Sequence, residues 1–209
     1  MFTGLVTDVG EVIARDANAE GARFTIRTGY NVAEIDNGAS IAHNGCCLTV
    51  TDRFPGDSTY SVFVSNETLS VTTLGSWRIG SRINLEQSLR LGDPLDGHLV
   101  YGHVDGLAAV SRVTPDGESC HMEFRVPLTL GRFLAPKGSV ALDGVSLTVN
   151  DVTTQANETV FDINIIPHTK SWTTFVDIAP GHWVNFEADM VARYVARLIA
   201  VDQVREKKD

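Results

Sequence analysis

Apolar and polar residues alternate in short segments along most of the chain, a pattern typical of strands that bury one face. β-branched and aromatic residues are frequent in these segments, and turns rich in Gly, Pro, Asn and Asp separate them. Four segments fall in the first half and four in the second: 22–28, 47–51, 60–64 and 82–86, then 120–126, 146–151, 159–165 and 182–187. Short helices are predicted at 127–134 and, more weakly, at 31–36. The pattern as a whole predicts an all-β protein.

The period changes near the end of the chain, where apolar residues recur at i, i+3, i+4, i+7 and i+8. These residues are Val191, Tyr194, Val195, Leu198 and Ile199. They predict an amphipathic helix with Asp189 as its N-cap. Two alternatives are open for its apolar stripe, which either docks on its own domain or packs against other subunits.

The chain repeats itself at an almost constant offset, which decides the architecture. Residues 38–52 and 137–151 are identical at seven of fifteen positions. A second block recurs 101 residues later, with Thr68, Ser70, Thr72, Thr73, Gly80, Asn84 and Glu86 matching Thr169, Ser171, Thr173, Thr174, Gly181, Asn185 and Glu187. We therefore expect two homologous domains at 1–97 and 98–187, and a tail at 188–209. Several short strands in each half predict a small closed barrel.

The repeat carries small polar residues at equivalent points. On a strand, Cys47 shares a face with Thr49 and is opposed to Cys46, while Ser146 shares a face with Thr148. These pairs indicate two related pockets, although Ser and Thr are also ordinary strand residues.

Two histidines, His98 and His103, also stand out as candidates. If they lay on a strand, their odd separation would point the two rings to opposite faces, so no metal site is expected.

Composition excludes several classes of function. The net charge of -9, without a dense basic cluster, argues against nucleic-acid binding. We expect no signal peptide and no membrane span, since the chain has no basic leader and no run of about 18 apolar residues. Three cysteines, an odd number, are typical of reduced thiols in the cytoplasm. The chain has neither a dinucleotide-binding nor a triphosphate-binding glycine loop.

Seven motifs, in order and over nearly the whole chain, resemble those of the riboflavin synthase family, whose members carry a duplicated lumazine-binding barrel. They are the segments 1–6 (MFTGLV), 44–50 (NGCCLTV), 67–69 (ETL), 97–106 (GHLVYGHVDG), 137–138 (KG), 143–149 (DGVSLTV) and 166–169 (IPHT). The sequence departs from the usual family residues at Asp96, Tyr101 and Asn66.

The resemblance implies two tandem six-stranded Greek-key barrels and a C-terminal helix that holds a homotrimer. It implies that two molecules of 6,7-dimethyl-8-ribityllumazine react to give riboflavin and 5-amino-6-ribitylaminouracil, with no metal or redox cofactor. An association with lumazine synthase is a further implied partner.

The resemblance also implies the site residues. One substrate would lie in the N-terminal barrel, lined by Gly4, Leu5, Val6, Cys47, Leu48, Thr49, Phe63, Val64, Ser65, Asn66, Glu67, Thr68, Gly102, His103 and Val104. The other would lie in the C-terminal barrel of a neighbouring subunit, lined by Lys137, Ser146, Leu147, Thr148, Asn164, Ile165, Ile166, Pro167, His168 and Thr169. Ser40, Cys47 and His103 resemble the residues linked to catalysis in the family.

Two other classes of protein share related barrels. One is a non-catalytic lumazine- or flavin-binding protein, which would lack part of the catalytic set present here. The other is a flavin-dependent reductase, which would need a nicotinamide-binding domain that the chain has no room for.

Overall fold

A computed structural model describes residues 1–206, in which twelve strands form two antiparallel barrels. The first barrel contains β1 (Asp8–Ala17), β2 (Gly21–Arg27), β3 (Ser40–His43), β4 (Cys46–Phe54), β5 (Thr59–Ser65) and β6 (Arg82–Gln87). The second contains β7 (Gly106–Asp116), β8 (Ser119–Pro127), β9 (Ser139–Leu142), β10 (Val145–Thr154), β11 (Glu158–Ile165) and β12 (Trp183–Ala188).

Helices are short except at the end of the chain. The α-helices are α1 (Asn66–Val71), α2 (Leu128–Gly131), α3 (Pro167–Trp172) and α4 (Met190–Glu206). The helix expected at 127–134 is thus the short α2, and the one expected at 31–36 is a single 3₁₀ turn, Val32–Glu34. The predicted N-cap of α4 is confirmed, because the Asp189 carboxylate accepts the N–H of Val191 at 2.8 Å.

Both barrels close in the same strand order. In the first, β2 pairs with β5 instead of β3, and β6 closes the barrel between β3 and β1. The second repeats this order from β7 to β12. The predicted architecture of two tandem six-stranded Greek-key barrels with a C-terminal helix is confirmed.

The alternation of the sequence explains why each strand lies where it does. In β2, Phe24 and Ile26 are fully buried in the barrel, while Arg23 and Arg27 point to solvent and form ion pairs. In the second barrel, the inward position that matches Ile26 holds Phe124, which stacks on the ring of Phe161. Each barrel therefore has its own apolar core.

The two barrels meet through their equivalent hairpin turns. Asn44 and Gly45 join β3 to β4, while Asp143 and Gly144 join β9 to β10, and all four residues have positive φ. Such two-residue turns favour Asn-Gly and Asp-Gly. The turns lie back to back, so that a Cβ on Gly144 would be 2.7 Å from the backbone nitrogen of Gly45.

Buried amides join the barrels across this contact. Asn185 of β12 donates to the carbonyl of Asn44 at 2.8 Å, and Asn84 of β6 donates to the carbonyl of Asp143 at 2.9 Å. The Asn185 side-chain oxygen also accepts the N–H of Thr73. The junction is therefore polar but well hydrogen-bonded, which a buried polar interface requires.

Asp143 is the one residue of this network whose charge breaks the symmetry of the repeat, since its counterpart is Asn44. Its carboxylate accepts the N–H of Asn185 at 2.8 Å. Burial raises the pKa of Asp143 to about 7.

We predict that Gly144→Ala destabilises the protein by several kcal/mol, because both the positive φ and the contact with Gly45 oppose a Cβ. Gly181→Ala is the matched control, since Gly181 also has a positive φ, yet a Cβ there would meet no atom within 4 Å. This control should cost only about 1 kcal/mol. Urea unfolding measures both, and equal losses would show that the turn contact is not tight.

We predict that Asp143→Asn removes a pH dependence of stability. Between about pH 4 and pH 7 the native Asp143 holds a proton that the unfolded chain has lost, so wild-type stability falls as pH rises through this window. Above pH 7 the variant should be more stable than wild type by about 1 kcal/mol or more. The reciprocal variant Asn44→Asp should acquire the slope. Urea titrations from pH 4 to 8 test this, and an unchanged slope in Asp143→Asn contradicts it.

Candidate functional site

The hairpins that meet at the junction present matching polar residues on their outer faces. In the first barrel, Cys47 pairs with Ala42 of β3 and Thr49 with Ser40, so that Ser40, Cys47 and Thr49 share one face. Cys46 and Leu48 lie on the opposite face, in the barrel core. The predicted opposition of Cys46 and Cys47 is therefore confirmed.

The second barrel repeats this arrangement. Ser146 pairs with Ala141, and Thr148 pairs with Ser139. Leu147 points inward to the core. Each barrel thus offers two small polar side chains on the outer face of one strand.

The barrel wall opens beside these residues. The ladder between β4 and β5 starts at the pair Val50 and Val62. It leaves out the first residues of β4, from Cys46, and the last residues of β5, up to Ser65. β10 and β11 likewise pair from Val149 and Ile163 outward. At the site, the backbone edges of the two strands are therefore not hydrogen-bonded to each other.

An irregular segment, residues 101–104, enters this opening in the first barrel, and we call it the C-strap. The Gly102 carbonyl accepts the N–H of Cys47 at 2.9 Å, and Val104 packs against the first-barrel core. A Cβ on Gly102 would lie 2.5 Å from the Cβ of Cys47, so only glycine fits. Since Thr49 lies two residues beyond Cys47, its N–H faces the same open side.

Residues 3–6, the N-strap, occupy the equivalent place in the second barrel. The Gly4 carbonyl accepts the N–H of Ser146 at 2.8 Å, and Val6 packs against the second-barrel core. The resemblance implied that Gly4, Leu5 and Val6 line the N-terminal pocket, and the contacts of Gly4 and Val6 differ from that expectation. Gly4 and Val6 contact the C-terminal barrel because the two straps are exchanged.

Two buried carboxylates hold the straps. Glu86 accepts the N–H groups of Thr3 at 2.6 Å and Gly4 at 3.0 Å. Glu187 accepts three N–H groups of the C-strap, from Tyr101 at 2.7 Å, Gly102 at 2.9 Å and His103 at 3.0 Å.

Burial raises the pKa of both glutamates, while these hydrogen bonds oppose the rise. Each strap is thus anchored on its own half of the chain and packed on the other half.

Sequence reasoning did not assign Glu86 and Glu187 to the site. Both appear in the second repeat block, and a carboxylate that recurs at equivalent strand positions was a usable signal. Their role was hidden because their partners lie more than 80 residues away.

His103 lies on the C-strap with an exposed side chain, 5.9 Å from the ring of Tyr101 between ring centroids. Both rings border a cavity of about 120 Å³ that also reaches Arg193 and Tyr194 of α4. Ser40 borders a separate cavity of about 120 Å³. The structure therefore places Ser40 of β3 and Cys47 of β4 on one face of the sheet, and His103 on the strap that bonds to Cys47.

Leu5 faces a cavity and does not pack on the second-barrel core as Val6 does. It is exposed and lines a cavity of about 430 Å³ together with Thr3, Glu86 and Asp96.

The remaining predicted segments, 63–68 and 164–169, run from the free end of a strand into a short helix. Ser65 caps α1 by accepting the N–H of Thr68, and Pro167 begins α3. Asn66 donates to the carbonyl of Ala19 at 2.7 Å, which fixes α1 to the turn between β1 and β2. These segments therefore border the same opening as Thr49 and Thr148.

Lys137 stands just before β9 with a φ of +65°, where the first repeat has Gly38 with a φ of +90°. A lysine in this region is strained, and such strain is found mostly at functional positions. The N–H of Lys137 donates to the carbonyl of Val149 at 2.8 Å, which holds it beside the site.

The expectation that His98 and His103 point to opposite faces assumed that both lie on a strand. Residues 98–105 instead lie between β6 and β7, and in this stretch only Val100 makes an isolated bridge, to Phe2. His98 instead bonds to Ser146, with 2.7 Å between Nδ1 and Oγ.

Within residues 1–206, no group of three or more His, Cys, Asp or Glu side chains is arranged to hold a metal ion. In the same part of the chain, no helix is long and apolar enough to cross a membrane.

Comparison with known proteins agrees with the repeat. The family model described as the lumazine binding domain matches residues 3–88 and again residues 101–189. Riboflavin synthase of Brucella abortus is 45% identical over 95% of this chain and 98% of its own. Riboflavin synthase of Mycobacterium bovis is 41% identical, also over 95% of this chain and 98% of its own.

Solved structures share the fold. LumP complexed with riboflavin aligns with a TM-score of 0.80 at 23% identity, covering 90% of this chain and 99% of that one. LumP complexed with 6,7-dimethyl-8-(1'-D-ribityl)lumazine gives a TM-score of 0.78 at 22% identity, with the same coverage. With two matching domains and relatives aligned over almost its whole length, the chain belongs to the riboflavin synthase family of lumazine-binding proteins.

Proposed function

We propose that the protein converts two molecules of 6,7-dimethyl-8-ribityllumazine into riboflavin and 5-amino-6-ribitylaminouracil by moving four carbons from one to the other. The observation that carries the proposal is the pair of equivalent openings, each with a polar strand face and a strap from the other half of the chain. A reaction between two copies of one molecule suits two related sites.

One lumazine would lie in the opening of the first barrel, against Cys47, Thr49, the C-strap and residues 63–68. The other would lie in the second-barrel opening of a neighbouring subunit, against Ser146, Thr148, the N-strap, Lys137 and residues 164–169. The free N–H and C=O groups of the open strand edges suit the alternating donors and acceptors of a pyrimidine ring. Ser and Thr hydroxyls suit the ribityl chain.

His103 is the proposed base or orienting group. The 7-methyl group of the lumazine is acidic because its anion is delocalised through the ring, so a weak base is sufficient. An imidazole on a strap held by Glu187 meets that need. Ser40 and Cys47 are proposed to act beside it from the strand face.

Orientation contributes more than proton transfer in this proposal. Holding two reactants in a reactive arrangement can supply roughly 7–11 kcal/mol. The reaction itself moves carbon between two molecules of the same compound, so its atoms balance without a redox cofactor or a metal ion.

The proposal includes a homotrimer held by α4, an association with lumazine synthase and a cytoplasmic location. The apolar stripe of α4 supports the homotrimer, because all five of its residues are exposed in the single chain: Val191, Tyr194, Val195, Leu198 and Ile199. An exposed stripe of this size favours a protein partner over its own barrel.

Purified protein mixed with 6,7-dimethyl-8-ribityllumazine alone tests the function. We expect riboflavin to appear, followed by its fluorescence, with one riboflavin formed for each two lumazines lost. Binding of both compounds without turnover would instead identify a non-catalytic carrier.

We predict that His103→Ala lowers kcat by at least tenfold and leaves the melting temperature within a few degrees, because the exposed ring contributes little to packing. His121→Ala is the control, since His121 pairs with Asp162 on the surface of the second barrel. This control should keep wild-type turnover. A fully active His103→Ala enzyme would exclude the role of His103.

We predict that Leu198→Glu, at the most exposed residue of the apolar stripe, produces smaller species in sedimentation velocity. Turnover should fall further than riboflavin affinity, because each proposed site needs two subunits. Arg197→Glu places the same charge off the stripe and should change neither. A smaller species of Leu198→Glu with undiminished turnover would contradict the shared site.

A further inference from the structure

The ring of His98 contacts the site through one hydrogen bond, while the backbone N–H of His98 donates to the carbonyl of Thr3 at 3.1 Å. Its Nδ1 lies 2.7 Å from the Ser146 Oγ, and Gly97 covers Ser146 so closely that a Cβ there would lie 3.0 Å from the Ser146 Cβ. The Nε2 of His98 is buried and has no hydrogen-bond partner among the side chains that the structure describes, those of residues 1–201, or the backbone of residues 1–206.

The isolated Nε2 indicates where the ring carries its proton. Burial lowers the pKa of His98, although Asp189 opposes this, so the neutral ring is favoured. In a neutral ring, one nitrogen carries hydrogen and the other accepts. A buried N–H without an acceptor is rarer than an acceptor without a donor. The hydrogen therefore lies on Nδ1, where the Ser146 Oγ accepts it.

This assignment fixes the direction of the Ser146 hydroxyl. With one lone pair occupied by His98, the hydroxyl hydrogen of Ser146 points away from the ring. Ser146 lies on the outer face of β10, and its hydrogen is therefore available to whatever occupies the second-barrel opening.

We propose that His98 is a positioning residue that makes Ser146 a fixed hydrogen-bond donor to an oxygen or ring nitrogen of the lumazine bound at the second barrel. The inference rests on the proposed function for the identity of the ligand.

The inference makes the two openings chemically unequal. The residue equivalent to Ser146 is Cys47, whose thiol is a weak donor. Two identical substrate molecules therefore meet different partners, and the second barrel holds its lumazine with the stronger donor. The repeat supplies the shared geometry, while the exchange of Cys for Ser, together with His98, supplies the difference.

Two substitutions of His98 separate positioning from packing. His98→Asn keeps an N–H near the place of Nδ1 but loses volume, whereas His98→Leu keeps more apolar volume and loses the donor. We expect His98→Leu to lower kcat/KM for 6,7-dimethyl-8-ribityllumazine by about tenfold. In a riboflavin titration with two binding steps, the affinity of one step should also fall by about tenfold. His98→Asn should remain within about threefold of wild type. A purely structural role predicts the opposite order.

A double-mutant cycle with Ser146→Ala tests the coupling. In that background, His98→Leu should have no further effect, because the hydroxyl that it orients is gone. Ser146→Cys copies the first-barrel residue and should likewise make His98→Leu silent. Melting temperatures of all variants are measured in parallel to detect misfolding. If a Ser146→Ala variant misfolds, the Ser146→Cys background is used in its place.

Equal losses in His98→Asn and His98→Leu, or a loss in His98→Leu that persists in both Ser146 backgrounds, would overturn the inference. Failure of the proposed function would look different, because wild-type protein would then form no riboflavin from lumazine alone. The riboflavin titrations of the His98 and Ser146 variants would still decide the role of His98 in that case.

Discussion

Two buried carboxylates hold the straps on which both openings depend. Glu86 holds the N-strap and Glu187 holds the C-strap, each by backbone N–H groups. A charged acceptor bonded to several N–H groups is stronger than a neutral one, and its loss would leave those donors buried and unpaired. Because each strap then crosses to the other barrel, neither opening is complete within one half of the chain.

The junction of the barrels places the openings symmetrically. The Asn-Gly and Asp-Gly turns lie back to back, and the hairpins that follow present Cys47 and Ser146 at equivalent points. Small departures from this symmetry then give the two halves different chemistry. Asp143 introduces a titratable carboxyl where the first repeat has an amide, and Ser146 replaces a thiol with a hydroxyl beside His98.

Asp105 connects the last helix to the site. Asp105, just after the C-strap, forms a two-pronged ion pair with Arg193 of α4, at 2.6 and 2.8 Å, and accepts the N–H of Ala188 at the end of β12. The helix that is proposed to hold the trimer is therefore fixed to the segment that carries His103. The proposed assembly through α4 and the proposed site therefore depend on the same contacts of Asp105.

The sequence by itself determined eight of the twelve strands, the duplication, the opposition of Cys46 and Cys47, and the capped final helix, because each depends on local periodicity or internal identity. The four segments that it missed are β1, β3, β7 and β9. The division at 1–97 and 98–187 stays a prediction. Only the tertiary structure decided that Gly4 lies on Ser146 and Gly102 on Cys47, and that Glu86 and Glu187 hold the straps. The family resemblance had placed Gly4 with the N-terminal barrel. The exchange of straps is set by packing between residues far apart in the chain, and no local pattern records such packing.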